Sequence, residues 1–225
     1  MSKIFIIGTP IGNLDDISAR ALKTLKEVDF ILCEDTRVTR KLLNYYEIHT
    51  ASISYHQHSK VKKIDYILEL LNQGKNLALV SDAGTPGISD PGNKLIQEAI
   101  ELLGDQVKII PIPGPSAVTT IASIAGCSMD RFIFLGFPPK KRKRKKFFQE
   151  MINTKYPIIF YESCHRIFKT LEELKILDDS LQLVVGRELT KKFETIYRGK
   201  VDKVIENIKK DKIKGEFVIV VKNDD

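Results

Sequence analysis

The sequence predicts an α/β protein of two domains, the first built on a mainly parallel sheet. Three observations predict this class. Over residues 1–112, short apolar runs alternate with stretches of helical period, and strand–helix–strand succession requires crossover connections between parallel strands. The early apolar runs are nearly continuous, as expected for strands buried on both faces. After residue 116 the pattern is more mixed, which indicates a second unit.

The predicted elements of the first domain follow in order. Apolar runs predict strands at 4–7, 28–33, 77–80 and 107–112, with a short extended piece around Ile53 and Tyr55. Apolar residues at helical spacing predict helices at 17–25, 64–71 and 95–103.

The second domain is predicted to begin with a helix that Ser116 caps. Further strands are expected at 132–135, 157–161, 183–185 and 217–221, and helices at 167–174 and 204–208. The domains are therefore placed at 1–114 and 115–225.

Composition argues against a membrane-spanning, secreted or disulfide-rich protein. The 225 residues are 43% hydrophobic and 29% charged, and no apolar run approaches the roughly 18 residues needed to span a bilayer. The N-terminal apolar stretch is too short for a signal peptide, so a cytoplasmic protein is expected. The three widely spaced cysteines argue against a disulfide framework or a thiolate zinc site.

The positive charge is concentrated in one place. The chain carries 36 Lys and Arg against 29 Asp and Glu, and seven of the basic residues are consecutive, at 140–146. Without this basic run, basic and acidic residues balance. The run indicates a polyanionic partner bound at one location. The alternative is a solvated, disordered loop, and both hold if the loop orders only when the polyanion binds.

Three predicted strands end in turns rich in glycine and proline: GTPIGNL at 8–14, SDAGTPGISDPG at 81–92 and PGPSA at 113–117. Such turns leave bare backbone open to a ligand, and parallel sheets bind ligands at the carboxyl ends of their strands. The dinucleotide and phosphate-loop motifs are absent. The turns therefore predict a different small-molecule site.

These turns occur in order with CEDTRVTRKLL, GFPPKKRKRKK, IIFYES followed by HRI, GRELTKKFE and KGEFVIVV. Together they resemble the bacterial 16S ribosomal RNA cytidine 2′-O-methyltransferases, of the tetrapyrrole methylase superfamily, from Lys3 to about Val221. The resemblance implies a two-domain tetrapyrrole-methylase-like (class III methyltransferase) fold with a mixed C-terminal sheet. It also implies S-adenosylmethionine held between the domains, and a homodimer. The chain departs from the family at 56–60 and 162–166, and it lacks the helical C-terminal extension of many members.

The resemblance implies a set of donor-binding residues: Pro10, Ile11, Asp82, Ala83, Gly84, Thr85, Ser116, Ala117, Tyr161, Leu189 and Glu216. Asp82 has a chemical reason to be among them, because a carboxylate pairs with the ammonium group of the donor. The alternative for Asp82 is a turn carboxylate bonded to nearby backbone N–H groups.

A ribose hydroxyl is a poor nucleophile and benefits from a general base. The candidates are Asp35, His56 and His58, with His165 as a further histidine. The HxH pair could also ligate a metal, but no third ligand is evident and no metal is expected. The candidate RNA-binding residues are Arg37, Arg166 and Arg187 together with Lys140, Lys141, Arg142, Lys143, Arg144, Lys145 and Lys146. The first three could instead pair with Asp35, Glu162 and Glu188.

The leading hypothesis is S-adenosylmethionine-dependent methylation of the ribose 2′-oxygen of a decoding-region cytidine in 16S ribosomal RNA. Its partner is the RNA or the small ribosomal subunit, with no membrane involved. Two alternatives stay open. One is a methylase of a tetrapyrrole or corrinoid precursor, and the other is a non-catalytic RNA-binding factor of ribosome assembly.

Overall fold

The computed structural model describes residues 1–56 and 61–222. The chain forms two compact units, Met1–Ser116 and Ala117–Asp225, which are called unit 1 and unit 2 below. Within the described residues, no helix combines the length and the apolar character needed to cross a bilayer.

Unit 1 alternates strands and helices along its whole length, as predicted. Its elements are β1 (Ser2–Ile7), α1 (Ala19–Glu27), β2 (Phe30–Cys33), α2 (Thr36–Tyr45), β3 (Ser52–Ser54), α3 (Val61–Asn72), β4 (Leu77–Leu79), α4 (Asn93–Leu103) and β5 (Val107–Ile112). Short 3₁₀ turns occur at Leu14–Asp16 and Gly104–Gln106.

The sheet of unit 1 has the strand order β3-β2-β4-β1-β5, and every neighbouring pair is parallel. The predicted parallel sheet is therefore confirmed. Helices cover both faces, because α3 and α4 pack in one apolar core and α1 and α2 in another. A fully buried leucine or isoleucine in such a core stabilises the fold by about 1.5–3 kcal/mol, so the two cores hold the sheet rigidly.

The connections of this sheet define where a ligand site is expected. The chain leaves β2 towards β3 and leaves β4 towards β5, so the connections of these two neighbouring strands run in opposite directions away from each other. Adjacent strands whose connections diverge leave a crevice beyond their carboxyl ends. In unit 1 that crevice lies between β2 and β4, where the segment leading into α2 and the turn at 81–92 begin.

Helix α2 was not predicted from the sequence. Its first residues are β-branched or charged, which weakens the helical signal. Two signals were nevertheless present. The Asp35 side chain accepts a hydrogen bond from the Arg37 N–H, as an N-cap does, and Thr39, Leu42 and Leu43 form a buried stripe at helical spacing.

Unit 2 is built on a mixed sheet, as predicted. Its elements are α5 (Ala117–Ser123), β6 (Ile133–Phe134), α6 (Arg144–Ile152), β7 (Ile158–Ser163), α7 (Ile167–Leu177), β8 (Gln182–Arg187), β9 (Thr195–Lys200), α8 (Val201–Lys210) and β10 (Glu216–Lys222). The strand order is β6-β7-β10-β8-β9. Strand β10 is antiparallel to both β7 and β8, whereas β6 and β7 are parallel.

One apolar core joins the sheet of unit 2 to α6, α7 and α8. Strand β9, at the edge of this sheet, was missed by the sequence analysis. Only one of its residues, Tyr197, is buried, and the exposed ones are Arg198 and Lys200. Charged residues of this kind are common on edge strands and obscure their apolar pattern.

Candidate active-site loops and the basic run

The turns after β1 and β4 are joined by a short bridge of backbone hydrogen bonds. The Thr9 N–H donates to the Gly84 carbonyl at 2.9 Å, and the Gly84 N–H donates back to the Thr9 carbonyl at 3.1 Å. The Thr9 hydroxyl adds a bond to the Ser81 carbonyl at 3.2 Å. These bonds fix the turns after β1 and β4 to each other.

The turns after β1 and β5 touch through two glycines. A Cβ atom on Gly8 would lie 2.8 Å from the Gly114 Cα atom, and a Cβ atom on Gly114 would lie 2.5 Å from the Gly8 carbonyl oxygen. Real Cβ atoms do not approach backbone this closely, so only glycine fits at either position. The Thr85 hydroxyl also donates to the Pro115 carbonyl at 3.3 Å. All three turns thus meet at one edge of the sheet, as predicted.

A cavity of about 190 Å³ opens beside this edge, on the side of α2. Its walls include Pro10 and Leu14 from the first turn, Val38 and Leu42 from α2, and Asp82 from the second turn. Two residues of the expected donor site, Pro10 and Asp82, therefore line one cavity. The Asp82 residue is exposed, so its carboxylate is accessible to a ligand.

Asp35 and Asp82 are linked at the mouth of this region. One Asp82 carboxylate oxygen accepts a hydrogen bond from the Asp35 N–H at 3.0 Å. The Asp35 carboxylate also forms an ion pair with the Arg37 guanidinium, and the shortest N–O distance between them is 2.6 Å. The hydrogen bonds from the Arg37 side chain and backbone lower the pKa of Asp35 to about 2. Asp35 is therefore a weak proton acceptor at neutral pH.

Glu34 is a member of this cluster that the sequence analysis missed. Burial raises the pKa of Glu34, the negative charges of Asp82 and Asp35 raise it further, and His56 opposes the shift. Its position directly after a buried strand, next to Asp35, was the signal that could have found it. Glu34 thus brings a second, more basic carboxylate towards the same edge.

Of the two histidines in the HxH pair, only His56 lies among the described residues. His56 lies close enough to Glu34 to lower the pKa of that carboxyl. His58 lies outside the described residues, and His165 is exposed in unit 2. Among the described residues, no cluster of three or more His, Cys, Asp or Glu side chains has the geometry of a metal site.

The last three residues of the basic run, 144–146, lie in a helix. Helix α6 begins inside the run, at Arg144, after Lys143 in a left-handed conformation with φ +65°. The first turn of α6 contains no acidic residue, so its exposed side chains and its N-terminal N–H groups carry charge of one sign. Six of the seven side chains are exposed: Lys140, Lys141, Arg142, Lys143, Lys145 and Lys146.

Arg144 is the exception within the run, because it is buried and paired with Glu162 and Glu173. Two other candidate RNA-binding arginines are also engaged within unit 2. Arg166 pairs with Glu162 at 2.8 Å. Arg187 is buried and donates to the Lys214 carbonyl at 2.9 Å. These three guanidinium groups are engaged in contacts within unit 2, so the cations of the run that remain open to RNA are the six exposed ones.

Residues 3–205 match the family of tetrapyrrole (corrin/porphyrin) methylases. The chain is 41% identical over 221 residues to ribosomal RNA small subunit methyltransferase I of Thermotoga maritima, covering 98% of both chains. It is 42% identical over 222 residues to the protein of that name from Bacillus subtilis, covering 98% of this chain and 75% of the relative. The chain belongs to the ribosomal RNA small subunit methyltransferase I family.

Solved structures support the same fold. The methyltransferase CobJ superposes with a TM-score of 0.69 at 18% identity, covering 99% of this chain and 93% of the other. A cobalamin biosynthetic enzyme, cobalt precorrin-4 methyltransferase, superposes with a TM-score of 0.68 at 19% identity, covering 97% of this chain and 94% of the other. At these identities the likeness shows the tetrapyrrole methylase fold alone.

In this member of the methyltransferase I family, three expected donor-binding residues lie on or beside the sheet of unit 2, and a fourth, Ala117, begins α5. Tyr161 lies on β7, where its ring packs against Phe134 and Phe137 with centroids 5.0 and 5.3 Å apart. Leu189 is buried and packs over Gly186, where a Cβ atom would lie 2.8 Å from the leucine side chain. The third, Glu216, opens β10.

The turn that carries Leu189 is shaped by Glu188. The Glu188 carboxylate accepts hydrogen bonds from the Lys191 ammonium at 2.9 Å and from the Glu216 N–H at 3.0 Å. Burial favours a higher pKa for Glu188, but these bonds and the charges of Lys191 and Arg187 outweigh it and hold the pKa below its usual range. Glu188 also has a left-handed backbone, with φ +51°. The carboxylate therefore holds a strained turn in place.

Proposed function

We propose that this chain transfers a methyl group from S-adenosylmethionine to the ribose 2′-oxygen of a cytidine in the decoding region of 16S ribosomal RNA. The observation that carries the proposal is the identity of about 41% with proteins named ribosomal RNA small subunit methyltransferase I over nearly the whole chain. The basic run supports an RNA substrate, because six of its cations are exposed in one place.

The edge of the unit 1 sheet fits a methyl donor. When bound, S-adenosylmethionine supplies a methyl group attached to a positively charged sulfur. The contact between Gly8 and Gly114 keeps side chains out of the edge, and the exposed Asp82 carboxylate offers a partner for an ammonium group. Pro10, Ile11, Asp82, Ala83, Gly84, Thr85, Ser116, Ala117, Tyr161, Leu189 and Glu216 are proposed to hold the donor.

The residues around Asp82 are proposed to have separate roles in alignment, positioning and proton acceptance. Methyl transfer is an in-line displacement, so rigid backbone that aligns the reacting groups and excludes water contributes much of the acceleration. Asp35, with its pKa lowered to about 2, acts by positioning Arg37 and the start of α2. We assign proton acceptance to His56, because an imidazole nitrogen can act as a general base and because this one lies beside Glu34. His58 is the second histidine to test.

The experiment incubates the purified chain with tritiated S-adenosylmethionine and small ribosomal subunits from a strain that lacks this methylation. We expect label in the small-subunit RNA, at a cytidine whose 3′ linkage becomes resistant to alkali, since alkaline cleavage needs a free 2′-hydroxyl. Label on a base, or no label in RNA, would refute the proposal.

Two variants make the assay specific. Asp82→Asn removes the proposed ammonium partner and should raise the KM for the donor by about tenfold or more, as loss of a charge-assisted hydrogen bond predicts. Asp105→Asn is the matched control, because Asp105 is an exposed carboxylate in the 3₁₀ turn before β5 and outside the proposed site. Equal KM values in the two variants would exclude Asp82 from donor binding.

The same assay separates the two alternatives. Transfer of label to a tetrapyrrole or corrinoid precursor, with none to RNA, would identify a small-molecule methylase. RNA binding without any uptake of S-adenosylmethionine, measured by calorimetry, would identify a non-catalytic RNA-binding factor.

A further inference from the structure

The basic run contains one side chain that cannot serve RNA directly. The Arg144 side chain is 5% exposed, and each of its three nitrogens is engaged inside unit 2. Its Nε atom donates to Glu173 at 2.7 Å, Nη1 donates to the Pro139 carbonyl at 3.0 Å, and Nη2 donates to the Thr170 hydroxyl at 2.6 Å. A planar guanidinium with diverging N–H groups suits three such acceptors, and a lysine ammonium does not.

Glu162 is the centre of this network. Its side chain is fully buried between two arginines. One carboxylate oxygen forms an ion pair with Arg166 Nη2, at 2.8 Å. The other accepts from the Thr170 hydroxyl at 2.6 Å and lies 3.8 Å from Arg144 Nη1. A buried carboxylate of this kind is stable only while its partners remain in place.

Both arginines also hold the chain where it enters the basic run. Arg166 Nη1 donates to the Pro138 carbonyl at 2.9 Å, and Arg144 Nη1 donates to the carbonyl of the next residue, Pro139. Arg144 is itself the residue at which the loop becomes helix α6. The entry and the exit of the segment 140–143 are therefore tied to one buried carboxylate, Glu162.

We propose that Glu162, Arg144 and Thr170 are positioning residues that hold the basic run in one conformation, and that its affinity for RNA depends on this anchoring. The RNA partner rests on the function proposed above. The physical reason is conformational entropy. An anchored run has already lost its backbone freedom when the protein folds, so RNA binding carries no further entropy loss for ordering it. In a run that becomes ordered only on binding, this entropy loss would lower the affinity for RNA.

The decisive variant is Glu162→Gln, because two explanations predict opposite signs. If the run bound RNA through its total charge alone, removing a negative charge beneath it would strengthen binding. If anchoring matters, Glu162→Gln loosens both arginines and weakens binding by about tenfold, as expected when several phosphate contacts become disordered together. Binding of a labelled single-stranded oligoribonucleotide to the full chain measures the difference. Unchanged or tighter binding would overturn the proposal.

A matched pair of variants separates anchoring from charge. Arg144→Met and Arg142→Met each remove one guanidinium from the same run, but only Arg142 is exposed. We expect Arg142→Met to lose one phosphate contact, and the slope of log affinity against log salt to fall by about 0.7–0.9. Arg144→Met should lose more affinity and more slope than Arg142→Met. Equal losses would contradict the anchoring role.

Trypsin provides a readout that needs no RNA. The run offers seven adjacent cleavage sites, so a loose run is cut first in the native protein, whereas an anchored one is protected. We expect protection in the natural chain and rapid cleavage within 140–146 in Arg144→Met. Rapid cleavage of the natural chain would overturn the proposal.

If Glu162→Gln or Arg144→Met fails to fold, Thr170→Val tests the same network. It removes the hydroxyl between Arg144 and Glu162 while keeping every charge, and circular dichroism checks that the chain stays folded. We expect faster cleavage within the run and weaker RNA binding. Protection from trypsin in the natural chain, with no RNA binding by any form, would establish the anchoring and refute the RNA function instead.

Discussion

The loops of unit 1 and the loops of unit 2 are held by different kinds of contact. In unit 1, main chain rests on main chain, as at Gly8 against Gly114 and in the bridge between Thr9 and Gly84. In unit 2, carboxylates hold the loops: the buried Glu162 fixes the basic run, and the partly exposed Glu188 fixes the turn that carries Leu189. The first arrangement depends on the absence of side chains, and the second depends on their charge and shape.

This difference matches the ligands proposed for the two sets of loops. A small methyl donor needs close approach to backbone, which glycine turns at a parallel sheet edge allow. A polyanion needs several cations held apart from one another, and a buried carboxylate beneath them offsets part of their repulsion. We therefore expect unit 1 to be sensitive to added volume and unit 2 to be sensitive to changes of charge.

The largest effect is expected from Gly8→Ala. The new Cβ atom would lie 2.8 and 2.9 Å from the Gly114 Cα and N atoms, and backbone cannot move aside as a flexible side chain can. We expect the free energy of unfolding to fall by about 3 kcal/mol, as for an overpacked core position. Urea unfolding measures this loss, and calorimetry with S-adenosylmethionine measures the accompanying loss of donor affinity.

Gly74→Ala is the control for this prediction. Gly74 follows α3 with φ +82°, and nothing lies within 4 Å of an added Cβ atom. Alanine there meets only the left-handed backbone penalty, which costs about 1 kcal/mol. Equal losses in the two variants would mean that the contact between Gly8 and Gly114 does not constrain the site.

The next effect concerns Gly215 and Glu188 in unit 2. A Cβ atom on Gly215 would collide with the Glu188 carboxylate and push it away from Lys191 and the Glu216 N–H. Gly215→Ala should therefore be much less harmful in a Glu188→Ala background, where the obstacle is gone. We expect a coupling energy of about 1–2 kcal/mol in a double-mutant cycle measured by urea unfolding.

Gly199→Ala supplies the comparison within the same unit. Gly199 also has a positive φ, +127°, but an added Cβ atom meets only the flexible Lys203 side chain, at 3.3 Å. Its effect should be independent of Glu188→Ala. If the effects of Gly215→Ala and Glu188→Ala were simply additive, the Glu188 carboxylate would not be what holds the turn.

The parallel sheet of unit 1 could be predicted because its strands are short apolar runs bounded by glycine and proline. The convergence of the three turns followed from topology, since the carboxyl ends of parallel strands meet at one edge. Strand β9 and helix α2 could not be predicted in this way. Their burial depends on neighbours from distant parts of the chain. Leu42 and Leu43, for example, pack in one core with Ala78 and Val80.

The charged part of the site was harder to predict than the backbone part. Sequence shows that Arg144 lies among six other basic residues, but only the fold shows that it faces Glu162, which is 18 residues away, and Glu173. Asp35 illustrates the same limit. Its place after a buried strand indicated a catalytic carboxylate, whereas its N-cap bond and its pairing with Arg37 appear only once α2 is formed.

The smallest expected effect tests the ion pair between Asp35 and Arg37 at the unit 1 site. Asp35→Asn keeps an N-cap oxygen for α2 but loses the charge that pairs with Arg37. Because the folded pKa of Asp35 is lowered to about 2 from 3.8, the pair stabilises the natural chain fully above about pH 4 and loses this contribution as the pH falls through 2.

Urea midpoints of the natural chain and of Asp35→Asn should therefore differ by a small, constant amount from pH 7 to about pH 4 and converge towards pH 2. The difference should also shrink at high salt, because the Arg37 side chain is 86% exposed. A gap that persists at pH 2 would mean that asparagine fails as the cap. The lost stability would then belong to the backbone of α2, and unit 1 would depend on main-chain contacts at this position too.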